Sequence, residues 1–421
     1  MIKVDKLMFF NPTHLIYPVQ KEVLLRFEPQ YPLQLDDKIN YSIQIKAFSG
    51  LKRITEGAEC LDKALSLRIG DQTLSAKFRF PQEDRYICTL SANGEKVQIV
   101  EMYALNADLF GTVPYRGDNH MHSYFSDGKD SPMYMAAAAC RHGCDYCAIT
   151  DHKQFEPSLI AREYYKDVDL AFLILSGEEI HSPHNPVHII NLGGSVSVND
   201  WWRDHEDEYN QEVARRLADV PEDMLQAQRF ACAASQAIFD KIKEADGISV
   251  LCHPHWINGF LYNEAEAITD YLCTHRRFDA LELIAGGAYE IGTQLQISYY
   301  HQMDDMPVLG SSDAHGCFGD HLEPGNYTIV FAKNFSPEGI KSAIRAGRTV
   351  AGDGNKLYGE YRLVKYAYFL LKNYYEAHNA LSDRLGAEMI RYASGKKTQE
   401  MRQVLESIRP HELFGKLLYR E

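Results

Sequence analysis

No apolar stretch in the sequence approaches the ~20 residues that cross a bilayer; Ala171-Phe172-Leu173-Ile174-Leu175 is typical of the runs present. No membrane partner is expected. Positive charge is also scarce: 44 Lys and Arg stand against 58 Asp and Glu, a net charge of −14. That is the wrong sign for neutralising the phosphates of a nucleic acid polymer. Compositional bias is missing too, with 45% hydrophobic and 24% charged residues, 28 Gly and 16 Pro, so neither disorder nor a fibrous repeat is indicated. The first apolar run closes at Asn11-Pro12, too short for a signal-peptide core. Nine cysteines, an odd number, then read as reduced thiols in a cytoplasmic protein. What is plentiful is histidine, with 17.

At 421 residues the chain can hold two or three domains. Alternating segments of period two, Glu22–Phe27, Ile39–Ile45 and Leu65–Ile69, are punctuated by Gly70-Asp71, Pro81-Gln82 and Asn93-Gly94. They predict an antiparallel β-sandwich over residues 1–112, with a hairpin at Asn93-Gly94. From Gly117 the pattern changes to short apolar runs alternating with helical stretches such as Ser131–His142, Ala231–Ala245 and Ile291–Met303. Strands are expected at Asn119–His122, Tyr146–Thr150, Phe172–Ser176, Val187–Leu192, Ile248–Cys252, Ala280–Ile284 and Pro307–Gly310. Seven β/α repeats over 113–355 predict an α/β fold, a distorted seven-stranded TIM-like barrel with its chemistry at the C-terminal strand ends. Trp201–Gln228 reads as a helical excursion over those ends, and 356–421 as a C-terminal helical extension offering a surface for a homodimer.

Each predicted strand ends in, or carries, a residue able to bind metal. In chain order these are His120 and His122 followed by Asp127, then Asp151-His152, Glu178-Glu179, His188, His253-Pro254-His255, Glu282, and Asp313-Ala314-His315. Carboxylates and imidazoles gathered in one barrel mouth cost desolvation energy unless a cation sits among them. The mixture of nitrogen and oxygen donors without cysteine suits two or three divalent ions of Zn, Mn or Fe. Such ions activate water as a hydroxide nucleophile and clamp the substrate's oxygens. Glu178 competes with Glu179 for this role and has an alternative as a helix N-cap acid. His181 and His184 compete with His188, and Asp151 reads as a residue that orients a ligand.

The motifs Gly117-Asp118-Asn119-His120-Met121-His122, Ser126-Asp127-Gly128, Ile149-Thr150-Asp151-His152, Cys252-His253-Pro254-His255 and Gly310-Ser311-Ser312-Asp313-Ala314-His315 resemble the PHP (polymerase and histidinol phosphatase) metallohydrolase family. The resemblance covers about residues 117 to 350, and the β-rich segment in front resembles the branch related to carbaryl hydrolases. It implies that His120, His122, Glu178 and Asp313 hold one metal. Glu178 would bridge to a second held by His188 and His253, and Asp127, His152 and His315 would hold a third.

The expected activity is hydrolysis of a small organic phosphoester, with Asp313 and His255 in catalytic roles. Arg116, Lys153, His255 and Glu282 are the expected substrate contacts, since phosphate recognition favours a nearby cation; His321 lies near enough to a motif to join them. A carboxylester or carbamate hydrolase on the same metals is the alternative, and a non-catalytic metal-binding or sensing barrel the second. Cys140, Cys144 and Cys147 have iron–sulfur spacing but fall at the end of the barrel away from the imidazoles.

Overall fold

The computed structural model describes residues 10–30, 35–50, 62–286, 291–301, 306–317, 325–354, 356–395 and 397–420. Expectations for His321, for residues 302 and 303 and for Lys396 lie outside them. The chain divides into two compact units, Met1–Thr112 with Glu412–Glu421, and Val113–His411. Among the described residues no helix is long and apolar enough to cross a membrane.

The first unit is built from alternation. Glu22–Pro29 buries Val23, Leu25 and Phe27, and Tyr41–Ala47 buries Ile43 and Ile45, so each strand turns one face inward. Four strands form one sheet and five another, and both feed a single core. Asp84–Ala92 and Glu95–Leu105 pair as a hairpin around Asn93-Gly94, both in left-handed conformation, which a tight primed turn requires. One pairing departs from the antiparallel expectation: Ile16–Pro18 runs parallel to Glu95–Leu105.

In the second unit most strands lie in two larger sheets, while Ile257–Asn258 and Leu261–Tyr262 pair apart as a small two-stranded ribbon. One larger sheet has the order Leu173–Leu175, Tyr146–Ala148, Val113–Asp118, Asn326–Ala332, Thr349–Asp353, Lys356–Gly359; the other Gly177–Ile180, Ile189–Leu192, Ile248–Leu251, Ala280–Ile284, Val308–Gly310. The first three strands of the first sheet are parallel, as are the last three of the second. Two single-residue parallel bridges join the sheets where these strands end, Met121 with Ala314 and His152 with Glu179. Among the described residues the pairings of the longer strands therefore form two larger sheets and no closed barrel. The opening strand also ends earlier than expected, at Asp118, so that His120 and His122 lie beyond it.

Helices cover these sheets. Pro132–Arg141 starts at Ser131, whose side chain accepts from Tyr134 N–H, with Pro132 in the first turn; both are helix-start chemistry. Its buried Ala136 to Ala139 let Tyr375–Ser394 approach closely. A Cβ on Gly386 would stand 2.4 Å from Arg141 N and 2.6 Å from Ala137 O, so the crossing tolerates no side chain there. The expected excursion is two helices, Val198–Asp204 and Glu206–Leu217, followed by Gln226–Glu244.

Candidate metal centre

Beyond Asp118 the chain is held on both sides. His122 N–H donates to Ala314 O at 2.9 Å, Asp313 N–H to His120 O at 2.9 Å, and Thr150 N–H to Met121 O at 2.8 Å. Side chains alternate along an extended segment, so Met121 enters the core while His120 and His122 turn together to the other side. Asp151 binds no metal-competent ring. It braces the following loop by accepting from Ser123 N–H (2.8 Å), Ser123 Oγ (2.7 Å) and Ser126 Oγ (2.6 Å). A Cβ on Gly128 would lie 2.4 Å from His122 O, so the turn that returns Asp127 to the imidazoles requires glycine. Asp127 then stands 3.4 Å from both His152 Nε2 and His315 Nε2, and 3.8 Å from His122 Nδ1.

Glu179 is the hub. Its Oε2 lies 2.7 Å from His152 Nδ1, 3.3 Å from His120 Nε2 and 3.4 Å from His122 Nε2. Its Oε1 lies 2.8 Å from His188 Nδ1, 3.5 Å from His253 Nε2 and 3.6 Å from His181 Nε2. Asp313 Oδ1 completes the gathering, 3.1 Å from His122 Nε2 and 3.3 Å from His120 Nε2. Asp313 and His253 both adopt positive φ, 51° and 26°, strained backbone of the kind that collects at functional sites.

This corrects the assignment to Glu178. The bridge from His152 to Glu179 sets the parity of the strand Gly177–Ile180, and alternation turns Glu178 to the opposite side. There its carboxylate accepts from Val198 N–H (2.5 Å), Asn199 N–H (3.3 Å), Ser197 Oγ (2.8 Å), Asn191 Nδ2 (3.0 Å) and Asn199 Nδ2 (2.8 Å). Glu178 is thus an acid at the start of Val198–Asp204, where the helix dipole favours it.

Charge follows the geometry. Burial alone would raise the Glu179 carboxyl, but the His188, His120 and His152 rings hold it well below the usual carboxylate range. Burial likewise opposes the ionised form of Asp313, which His120 and His122 nevertheless pull down. Burial pushes His188 down to about 4, so its ring is neutral at pH 7 and keeps a lone pair. His120 moves the other way: burial would lower it, and Asp313, Glu282 and Glu179 raise it.

The donor set fits divalent cations. Glu179 Oε1, His188 Nδ1, His152 Nδ1, His122 Nδ1 and His181 Nε2 are buried without a hydrogen-bond partner. Yet Glu179 oxygens stand 2.7 and 2.8 Å from two of those nitrogens. Buried polar atoms are otherwise almost always paired in good geometry, so nitrogen and oxygen donors crowded together in this way suit a shared cation. Groups whose donor atoms lie within 4.8 Å of each other include His120, His122 and Glu179; Glu179, His188 and His253; and His122, Asp127, His152 and His315.

Of the four expected substrate contacts, Arg116, Glu282 and His255 are taken up by packing or by other side chains, whereas Lys153 stays exposed beside His152. Arg116 lies four residues before His120, roughly 13 Å along an extended chain. Its guanidinium is sandwiched between Tyr327 (4.0 Å) and Tyr375 (4.1 Å) and donates to Asn379 Oδ1, so it braces the core. Glu282 is fully buried, with Oε1 3.0 Å from His120 Nδ1 and Oε2 accepting from His253 N–H at 3.2 Å. A carboxylate placed so would orient the His120 ring and the His253 backbone. His255 is buried against Tyr299 (5.2 Å) and Tyr262 (5.9 Å) and is not among the described residues lining either cavity beside the cluster. Lys153 stands exposed, one residue past His152, with its backbone N–H on Glu179 O.

Two cavities, of about 220 and 120 Å³, share His253, Trp256, Asp313 and His315. Trp256, which the motifs did not single out, packs against His253 (5.7 Å) and His188 (5.8 Å); its position directly after His253-Pro254-His255 was the available signal. Cys140, Cys144 and Cys147 are buried among Met135, Tyr165 and Met389, and burial raises their thiols far above the ordinary range.

No family model matches the chain. Over 61 residues it is 44% identical to the DNA polymerase/3'-5' exonuclease PolX of Bacillus subtilis, a match spanning 14% of this chain and 11% of that protein. Among solved structures it is similar to a two-domain protein from Bacteroides vulgatus described as containing a predicted PHP-like metal-dependent phosphoesterase. That likeness has a TM-score of 0.45 and 22% identity, and covers 61% of this chain and 70% of that one. It is also similar to a candidate metal-dependent phosphoesterase from Bifidobacterium adolescentis (TM-score 0.34, 19% identity, 48% and 87% covered). An amidohydrolase from Chromobacterium violaceum gives a TM-score of 0.33 at 18% identity, with 48% and 89% covered.

Proposed function

We propose that the protein is a PHP-type, divalent-metal-dependent phosphoesterase acting on a small organic phosphate. The observation that carries this reading is Glu179, a fully buried carboxylate facing six imidazoles, three on each oxygen. A carboxylate so surrounded is suited to bridging neighbouring cations. His120, His122 and Asp313 would hold one ion with Glu179, His188 and His253 a second, and Asp127, His152 and His315 a third. Zinc, manganese or iron bound there would acidify water and polarise the oxygens of the scissile group. Glu282 fixes the His120 ring so that Nε2 faces the cluster, while Asp151 holds the loop that carries Asp127 in place. Trp256, Ala285 and Gly286 give the larger cavity an apolar wall beside Asp313, which orients the substrate's organic part and limits water.

A distorted seven-stranded barrel goes with this reading. The two bridges between the sheets support it, as does a core drawing Tyr146, Leu175, Val250 and Leu309 from both. The sandwich description of the first unit and the likeness to the carbaryl-hydrolase branch belong to the same proposal.

One observation favours a carboxylester or carbamate substrate instead: no Lys or Arg is among the described residues lining either cavity, whereas phosphate dianions are usually met by cations. Turnover of p-nitrophenyl phosphate, bis(p-nitrophenyl) phosphate and p-nitrophenyl acetate by one metal-loaded preparation separates the two. Phosphate-selective turnover supports the phosphoesterase, and hydrolysis of the acetate alone overturns it.

A further inference from the structure

We propose that His181 is a metal ligand, forming with His152 and Glu179 an additional nitrogen-rich coordination group beside the three already described. The inference rests on the metallohydrolase reading and deepens it.

Glu179-Ile180-His181 repeats the spacing of His120-Met121-His122, and an intervening buried residue turns the flanking pair to one side in each case. The Nε2 atom of His181 is buried, has no hydrogen-bond partner and lies 3.6 Å from Glu179 Oε1. Its ring packs 3.9 Å from that of His188 and 4.5 Å from that of His152. Donor atoms of His152, Glu179 and His181 all lie within 4.8 Å of one another.

An unpaired buried nitrogen among other imidazoles is unfavourable without a shared cation. His184 provides the contrast, because its φ of 60° turns the chain and its ring lies against Phe230 at 6.4 Å. Two imidazoles to one carboxylate suit zinc or iron better than manganese. Because His152 also serves the Asp127 group, ions in the two groups draw on one ligand and their binding is coupled.

The test is a chelator-competition titration of zinc, and separately of manganese, on the full chain, with metal content measured by elemental analysis. Wild type is compared with His181→Ala, His181→Asn and His184→Ala, and cobalt(II) absorption reports on nitrogen ligation. Both His181 variants are expected to weaken one zinc equivalent by about tenfold or more, the scale of losing one support of a metal site. Manganese should weaken less, the cobalt spectrum should change, and His184→Ala should match wild type. Wild-type zinc affinity and cobalt spectrum in both His181 variants, or equal weakening in His184→Ala, overturns the role of His181 and leaves the metallohydrolase reading standing. A wild-type protein that binds neither metal overturns both.

Discussion

Glu282 and His120 face each other in full burial, carboxylate Oε1 3.0 Å from ring Nδ1, which leaves Nε2 of the same ring 3.3 Å from both Glu179 and Asp313. A carboxylate behind a metal-binding imidazole fixes its tautomer and raises its basicity. Glu282→Gln is therefore expected to keep the fold and to lower metal affinity about 10- to 100-fold. Chelator competition measures the affinity, with circular dichroism as the check on folding; wild-type affinity would contradict this role.

Glu178 and Glu179, adjacent in sequence, should separate cleanly by substitution. Glu179→Gln is expected to abolish tight metal binding, whereas Glu178→Gln should keep metal and lose about 1–3 kcal/mol of stability through its buried acceptor bonds. Metal content and thermal melting of the two variants decide the matter. The reverse assignment of effects would restore Glu178 as the bridge.

Arg116 between two tyrosines is a packing residue. Arg116→Ala is expected to lower the melting temperature, since a cation held over aromatic faces contributes about 2 kcal/mol when desolvated. Its KM for any substrate should stay near the wild-type value. A large rise in KM with unchanged stability would return it to the substrate site.

Glu264 sets a pH dependence of stability. It is buried with one hydrogen bond, from Thr269 Oγ1 at 2.7 Å, and burial raises its carboxyl from 4.5 to about 8. The folded chain thus binds a proton that the unfolded chain releases between these values, so the contribution is fully present below about 4.5 and is lost as pH rises through about 8. Glu264→Gln should remove this component. Melting curves at several pH values are expected to show wild type losing stability relative to the variant as pH increases, and a constant difference would contradict it.

Much of this arrangement is legible in the sequence. The runs around Tyr146, Leu173, Ile190, Ile248, Leu281 and Val308 are strands, because apolar runs bounded by turns report strand existence directly. Pairing is not reported that way: two sheets joined at Met121–Ala314 and His152–Glu179 depend on long-range register. The Glu178 misassignment has the same origin, since a shift of one residue moves every side chain to the other face. Arg116 shows a further limit. It stands beside the histidine motif in sequence, but strand rise carries it away from the histidines in space.

The most direct measurement of the central claim is elemental analysis of full-length protein purified without chelator, wild type beside Glu179→Gln, with hydrolysis assayed on the same samples. Two or three equivalents of zinc, manganese or iron in wild type, lost together with turnover in Glu179→Gln, is the expected result. Glu179→Gln retaining both metal and activity, or a wild type that stays metal-free and inactive after zinc or manganese is supplied, would contradict it.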